Sequence, residues 1–118
     1  MKEAEKYYGL RITSAKIDES ALELSFINGT TVRFSDHGQI CCERRYMNTD
    51  DDINSLVGNK LVKVEIKDGG YNGDRADRYE VLECQFLEIQ TDKGFITVAN
   101  YNYHNGYYGG FSLEVSEV

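Results

Sequence analysis

No proline occurs in the chain, so no prolyl isomerisation step enters its folding. Cysteine is scarce: Cys41 and Cys42 are neighbours and Cys84 stands alone. A bond between adjacent cysteines closes a strained ring far from ordinary disulfide geometry, and an odd count argues against a disulfide framework. All three read as thiols in a reducing compartment. No apolar run comes near the roughly 20 residues that a membrane helix needs. The start, Met1 to Gly9, carries no apolar signal-peptide core, so a cytoplasmic location is expected. Basic residues are the scarcer charge, 13 Lys and Arg against 20 Asp and Glu, for a net −7. A duplex-binding domain needs a basic face, because phosphate neutralisation supplies most of its affinity. Arg44-Arg45 and the Arg75/Arg78 pair are the local basic concentrations, and acids flank both. Direct nucleic-acid binding is not expected; a protein partner with a basic surface is.

The 118 residues suit one domain, 1–118, which buries roughly 65 % of its unfolded surface without staples. Residues 1–8 read as a short helix or a loose end. Period-2 alternation dominates the rest. Leu10 and Ile12, then Ala15 and Ile17, mark a strand with a slip in its middle. Leu22, Leu24 and Phe26 lead into Asn28-Gly29, a strong hairpin signal, and Val32 and Phe34 resume on one face. Val62, Val64 and Ile66 mark a half-exposed strand. Tyr79 to Thr91 is a long strand in which Leu82, Cys84 and Phe86 share a face before Leu87 and Ile89 take over, which reads as a bulge near Phe86. Asp92-Lys93-Gly94 turns the chain, Phe95 to Ala99 returns antiparallel, and Phe111, Leu113 and Val115 form a last strand. The pattern Asn48 to Gly58 predicts one short helix of about seven to nine residues, capped by Thr49 or Asp50 and stopped at Gly58. Asp68 to Asp77 reads as a loop. The fold class is α+β, mainly β: a twisted antiparallel sheet or partly open barrel of about six to eight strands with one or two short helices.

Candidate chemistry is thin. Counted as a calcium loop from Asp68, the sequence puts Gly70 at position 3 and Tyr79 at position 12, so two ligands fail. His37, Cys41, Cys42 and His104 are the soft-metal candidates, but adjacent cysteines in extended backbone point to opposite faces. A nucleophile pair of Cys41 or Cys42 with His104 lacks a local cause for a lowered thiol pKa beyond Arg44 and Arg45. Glu83, Glu88 and Glu114 read as solvated sheet surface. No phosphate-cradling glycine loop follows a strand. The expectation is therefore no enzyme, no metal and no cofactor.

The segment Asn100 to Phe111 is the exception to an ordinary surface. Asn, Tyr, Gly and Phe make up all but His104 of its twelve residues. Tyrosine brings contact area at low entropic cost, and asparagine brings adaptable hydrogen bonds. The plain reading is a connection between two strands, with Gly106, Gly109 and Gly110 supplying unusual backbone angles. The functional reading is a recognition surface built from Tyr101, Asn102, Tyr103, His104, Asn105, Tyr107 and Tyr108. Arg44-Arg45-Tyr46 has the chemistry to grip an anion, with Asn105 and nearby tyrosines stacking on a base, or to compensate Glu43 and the run Asp50, Asp51, Asp52.

Cys41-Cys42 after Phe34-Ser35-Asp36, the stretch Val57-Gly58-Asn59-Lys60-Leu61 and the ending His104-Asn105-Gly106-Tyr107-Tyr108-Gly109-Gly110-Phe111 together resemble a family of small uncharacterised phage- and prophage-associated domains over roughly residues 20 to 115. The resemblance implies a compact strand-rich domain and lends no catalytic residue. The expected function is a non-enzymatic accessory protein that binds and neutralises a host component, an acidic inhibitor of a host defence system. Asp50, Asp51, Asp52, Asp74 and Asp77 would supply charge, and Tyr101, Tyr103, Tyr107 and Tyr108 contact area. The alternative is an oligomeric sponge for a small nucleotide-like ligand, with Arg44, Arg45, Asn102, Asn105 and Tyr107 around the pocket. A structural or interaction domain without ligand comes third. An enzyme using Cys41 or Cys42 is the remaining alternative, tested by Cys→Ala changes.

Overall fold

The computed structural model describes residues 1–38, 43–73, 81–104 and 110–118. Its strands are β1 (Ile12–Ile17), β2 (Ala21–Phe26), β3 (Thr31–Asp36), β4 (Glu43–Asn48), β5 (Leu61–Gly73), β6 (Val81–Thr91), β7 (Gly94–His104) and β8 (Leu113–Glu117). Two antiparallel four-stranded sheets result, in the orders β1-β2-β3-β8 and β4-β7-β6-β5. The mainly β class agrees with the sequence, but the alternating runs divide into two sheets instead of sharing one. Among the described residues neither sheet closes into a barrel, and no helix is long and apolar enough to cross a membrane.

The division follows from where each strand's apolar stripe goes. Leu22, Leu24, Phe26, Val32 and Phe34 come from the first sheet, and Leu61, Val64, Leu87, Ile89, Ile96 and Val98 from the second. All are buried in one cluster, since removing both stripes from water requires the two faces to meet. A 3-10 helix at Lys2–Tyr7 adds Ala4 and Tyr7. The Tyr7 ring stacks on Phe26 at 5.7 Å, and its hydroxyl donates to Glu117 at 2.6 Å. The chain start is thereby tied to β2 and β8.

Local chemistry explains the turns. The slip in β1 lies between Ile12 and Ser14. In the β2–β3 hairpin Gly29 N–H bonds the Phe26 carbonyl at 2.9 Å, and Phe26 N–H bonds the Thr30 carbonyl at 2.8 Å. Gly29 at φ 88° thus sits at the left-handed position of a three-residue loop, where an L side chain is strained.

Three expectations are corrected. The helix before Gly58 is a four-residue 3-10 turn, Ile53–Leu56, capped by the Asp52 side chain, which accepts from Asn54 N–H at 3.0 Å. It starts late because Thr49 Oγ1 donates to the Thr97 carbonyl at 2.7 Å and Thr97 N–H donates to Asp51 Oδ2 at 2.8 Å. These bonds spend Thr49 and Asp51 on the edge of β7. The bulge expected near Phe86 lies in the partner strand, between Asp68 and Tyr71 of β5; β6 pairs with β7 from Val81 to Thr91 without a slip. Leu87 and Ile89 face the core, whereas Leu82, Cys84 and Phe86 occupy the outer face. Asp68 to Gly73 is strand and not loop. Gly69 makes this possible, because a Cβ there would come within 2.8 Å of the Cys84 carbonyl oxygen.

Candidate functional site

The segment thought to be a connection is, up to His104, the second half of β7. Its alternation simply continues that of Ile96 and Val98. Asn100, Asn102 and His104 point inward and are at most 5 % exposed, while Tyr101 and Tyr103 point outward. Asparagines fill inward positions because polar groups of both sheets meet them there.

Asp36, at the end of β3, is the clamp between sheets. Its carboxylate accepts from Arg45 Nη1 at 2.8 Å, Gly38 N–H at 2.9 Å, Asn100 Nδ2 at 3.1 Å and Ser112 N–H at 3.2 Å. The same Arg45 donates to Glu43 at 3.1 Å, and Asn102 Nδ2 donates to Glu43 Oε2 at 2.9 Å and to the Gly110 carbonyl at 3.0 Å. Glu83 finishes the chain of bonds. Its Oε1 meets His104 Nε2 at 2.6 Å and accepts from Gly110 N–H at 3.0 Å. Glu83 is therefore not solvated sheet surface, because its register opposite Asn102 puts it on the inner face. One carboxylate oxygen holds both His104 and Gly110. Gly110 is at φ 79°, a conformation that glycine adopts without strain. The Oδ1 atoms of Asn100 and Asn102 and Oε1 of Gln85 accept no hydrogen bond among the described residues.

Burial pushes the Asp36 carboxyl up, but bonds from Gly38, Asn100, Ser112 and Arg45 together outweigh it and hold the group below its ordinary 3.8. A depressed folded-state pKa contributes stability that is present above the unfolded value and lost as pH falls through the folded one. Asp36→Asn is therefore expected to cost stability at neutral pH, with the difference from wild type shrinking as pH drops from about 4. Urea unfolding at a series of pH values checks this; a difference independent of pH contradicts it.

The outer face of the second sheet is aromatic. Tyr46 on β4 stacks on Tyr101 on β7 with centroids 4.9 Å apart, and the Arg44 guanidinium lies 4.7 Å from the Tyr46 ring. Tyr103 is 41 % exposed. Asn48 to Asp51, Phe86, Phe95, Thr97, Ala99 and Tyr101 enclose a groove on this face.

The expected site residues are thus sorted by strand geometry. Arg44, Tyr101 and Tyr103 share the outer face, near Asp50. Arg45, Asn102 and His104 share the inner one. Asp51 and Asp52 are committed to Thr97 and Asn54. Arg44 pairs with Glu19 at 3.1 Å and Arg45 is buried with Asp36 and Glu43. Asn105, Tyr107 and Tyr108, like Cys41, Cys42, Asp74, Arg75, Asp77 and Arg78, lie outside the described residues. Among those described, no group of three or more His, Cys, Asp or Glu is placed to hold a metal ion. A cleft of about 980 Å³ between the sheets has Asp36, Arg45 and Asn100 on its wall, but there the guanidinium already serves two carboxylates. Sequence reading missed Asp36, Glu43 and Glu83 as a unit, and Phe86 and Phe95 as groove walls. The one available signal was that Asn100, Asn102 and His104 keep the period of the preceding strand.

A family model described as Domain of unknown function (DUF7448) matches residues 5–113. No curated protein and no solved structure matches the chain.

Proposed function

The chain belongs to the family described as Domain of unknown function (DUF7448), and we propose that this member is a non-enzymatic accessory protein, of phage or prophage association, that binds and neutralises a host protein in the host cytoplasm. The observation that carries the reading is the outer-face cluster of Arg44, Tyr46, Tyr101 and Tyr103. Rings and a guanidinium already held against one another lose little freedom on docking, and such residues dominate interface energetics. The Glu83 and Asn102 bonds to His104 and Gly110 bracket the five residues that include Tyr107 and Tyr108. Tyr107 and Tyr108, the remaining tyrosines of the proposed surface, follow the cluster in sequence and lie outside the described residues. The net charge of −7 favours a partner with a basic face, of the kind that handles nucleic acid, and through it the inhibition of a host defence system.

Tagged protein is expected to capture nucleic-acid-handling host proteins, with binding that weakens as salt rises. Tyr101→Ala with Tyr103→Ala is expected to weaken that binding at least about 30-fold, the effect of losing one hot spot of about 2 kcal/mol. Salt-independent capture, or none of such proteins, rejects the reading.

The nucleotide sponge has less support. Arg44 and Arg45 lie on opposite faces of β4, and Arg45 is occupied by Asp36 and Glu43. Thermal shift with cyclic and adenine nucleotides is accordingly expected to show no stabilisation.

A further inference from the structure

We propose that the groove on the outer face of the second sheet is a socket for one cationic side chain, a lysine ammonium or arginine guanidinium, presented by a basic segment of the partner protein. The proposal rests on the binding reading above and names the chemistry of the contact. At about 380 Å³ the groove stands at the small end of ligand sites, which run from about 300 to 1,000 Å³. It suits a side chain better than a cofactor.

Its walls are of two kinds. Phe86, Phe95 and Tyr101 supply rings, and Asp50 and Asp51 supply carboxylates from the facing loop. A positive charge is attracted to the negative face of an aromatic ring, most strongly where water is partly excluded, and a carboxylate at the rim completes the match. An anion would meet two acids of its own sign. An apolar side chain would take water from those acids and return no partner.

The walls are also held in place. Thr97 N–H fixes Asp51 through Oδ2 at 2.8 Å, and Thr49 is tied to the Thr97 carbonyl. The Phe86 ring lies against Gly69, where a Cβ would come within 2.9 Å of it. Phe95 is 65 % exposed, so its ring is open to a ligand. The cations beside the groove are already engaged. Lys67 pairs with Glu88 at 3.0 Å and Arg44 with Glu19. Asp50 is exposed and makes no ion pair among the described residues. Its charge is felt inside the groove, where burial first, then Cys84, Tyr46 and Asp50, hold the Tyr101 hydroxyl above its ordinary range.

The test uses isotope-labelled full chain titrated with N-acetyl-lysine amide, N-acetyl-arginine amide and, as the neutral isostere, N-acetyl-norleucine amide. The lysine and arginine probes are expected to shift the backbone amides of Asp50, Thr97 and Ala99 in the millimolar range, less so at high salt, and the norleucine probe is not. A short oligolysine is expected to bind at least tenfold more tightly than the single amide. Asp50→Asn and Phe95→Ser, both at exposed positions, are each expected to weaken oligolysine at least fivefold. Equal shifts with norleucine, no shifts at these amides, or full affinity in both variants overturns the proposal. If host capture is lost in the Tyr101/Tyr103 double variant while the probes do not bind the groove, the binding reading stands and the socket falls. If the probes bind and no host protein is captured, the socket stands without that reading.

Discussion

Arg45→Met is expected to lower the free energy of unfolding by about 3–5 kcal/mol, the cost of breaking a buried ion pair from one side. The Arg45 side chain is 6 % exposed and its partners Asp36 and Glu43 are 3 % and 0 % exposed. Two desolvated carboxylates share one guanidinium, so its removal leaves both charges in a medium that solvates them poorly. Because Asp36 belongs to β3 and Glu43 to β4, the loss falls on the joint between the sheets. Arg45→Lys keeps the charge but loses the planar fork that reaches both partners, and an intermediate loss is expected. Adding Glu43→Gln to Arg45→Met is expected to recover part of the stability, since the combination removes a stranded charge along with its partner. Urea unfolding of the three variants gives the comparison. A midpoint for Arg45→Met within error of wild type would show the network to be worth no more than a surface pair.

Phe34→Ala is expected to cost a similar 3–5 kcal/mol. Phe34 is fully buried, and in the first sheet it pairs with Leu22 on one side and Val115 on the other. Truncation opens a cavity that strands held on both edges fill poorly, so lost dispersion adds to lost burial. Phe95→Ala is the matching control. With 65 % of Phe95 exposed, its change is expected to stay within about 0.5 kcal/mol, as for ordinary surface substitutions. Equal losses at the two positions would contradict the assignment of the core.

These two phenylalanines also show how far sequence reading reaches. Both sit in alternating strands of similar composition. Alternation says that residues two apart share a face, and it correctly places Phe34 with Val32 and Leu24 with Leu22. It does not say which face is covered, because that depends on the sheet stacked above. Phe34 lies beneath the second sheet, whereas Phe95 lies on the far side of its own. The same limit explains the second half of β7. Asn100, Tyr101, Asn102, Tyr103 and His104 alternate as a strand does, yet composition suggests that tyrosine goes in and asparagine out. The order is reversed because Asp36 and Glu43 arrive from other strands and accept from the asparagine amides in place of bulk water.

The Tyr- and Asn-rich stretch was legible as unusual. Glu83 was not legible as a partner of His104 and Gly110, since those bonds span 21 and 27 positions and follow from strand register alone. The acids from Asp50 to Asp52 looked like one charged run. Backbone geometry gave two of them hydrogen-bonding duties, at Thr97 and Asn54, and left Asp50 exposed.

What the sequence determined by itself is local: a mainly β chain, the Asn28-Gly29 turn, the slip in β1, the stop at Gly58 and an acidic surface. Each follows from side chains acting on their own backbone or on near neighbours. What only the tertiary structure decided is which side of each strand meets the other sheet. Burial is a property of two surfaces brought together, and it turned one run of Asn and Tyr into a buried clamp on one face and an aromatic outer face on the other.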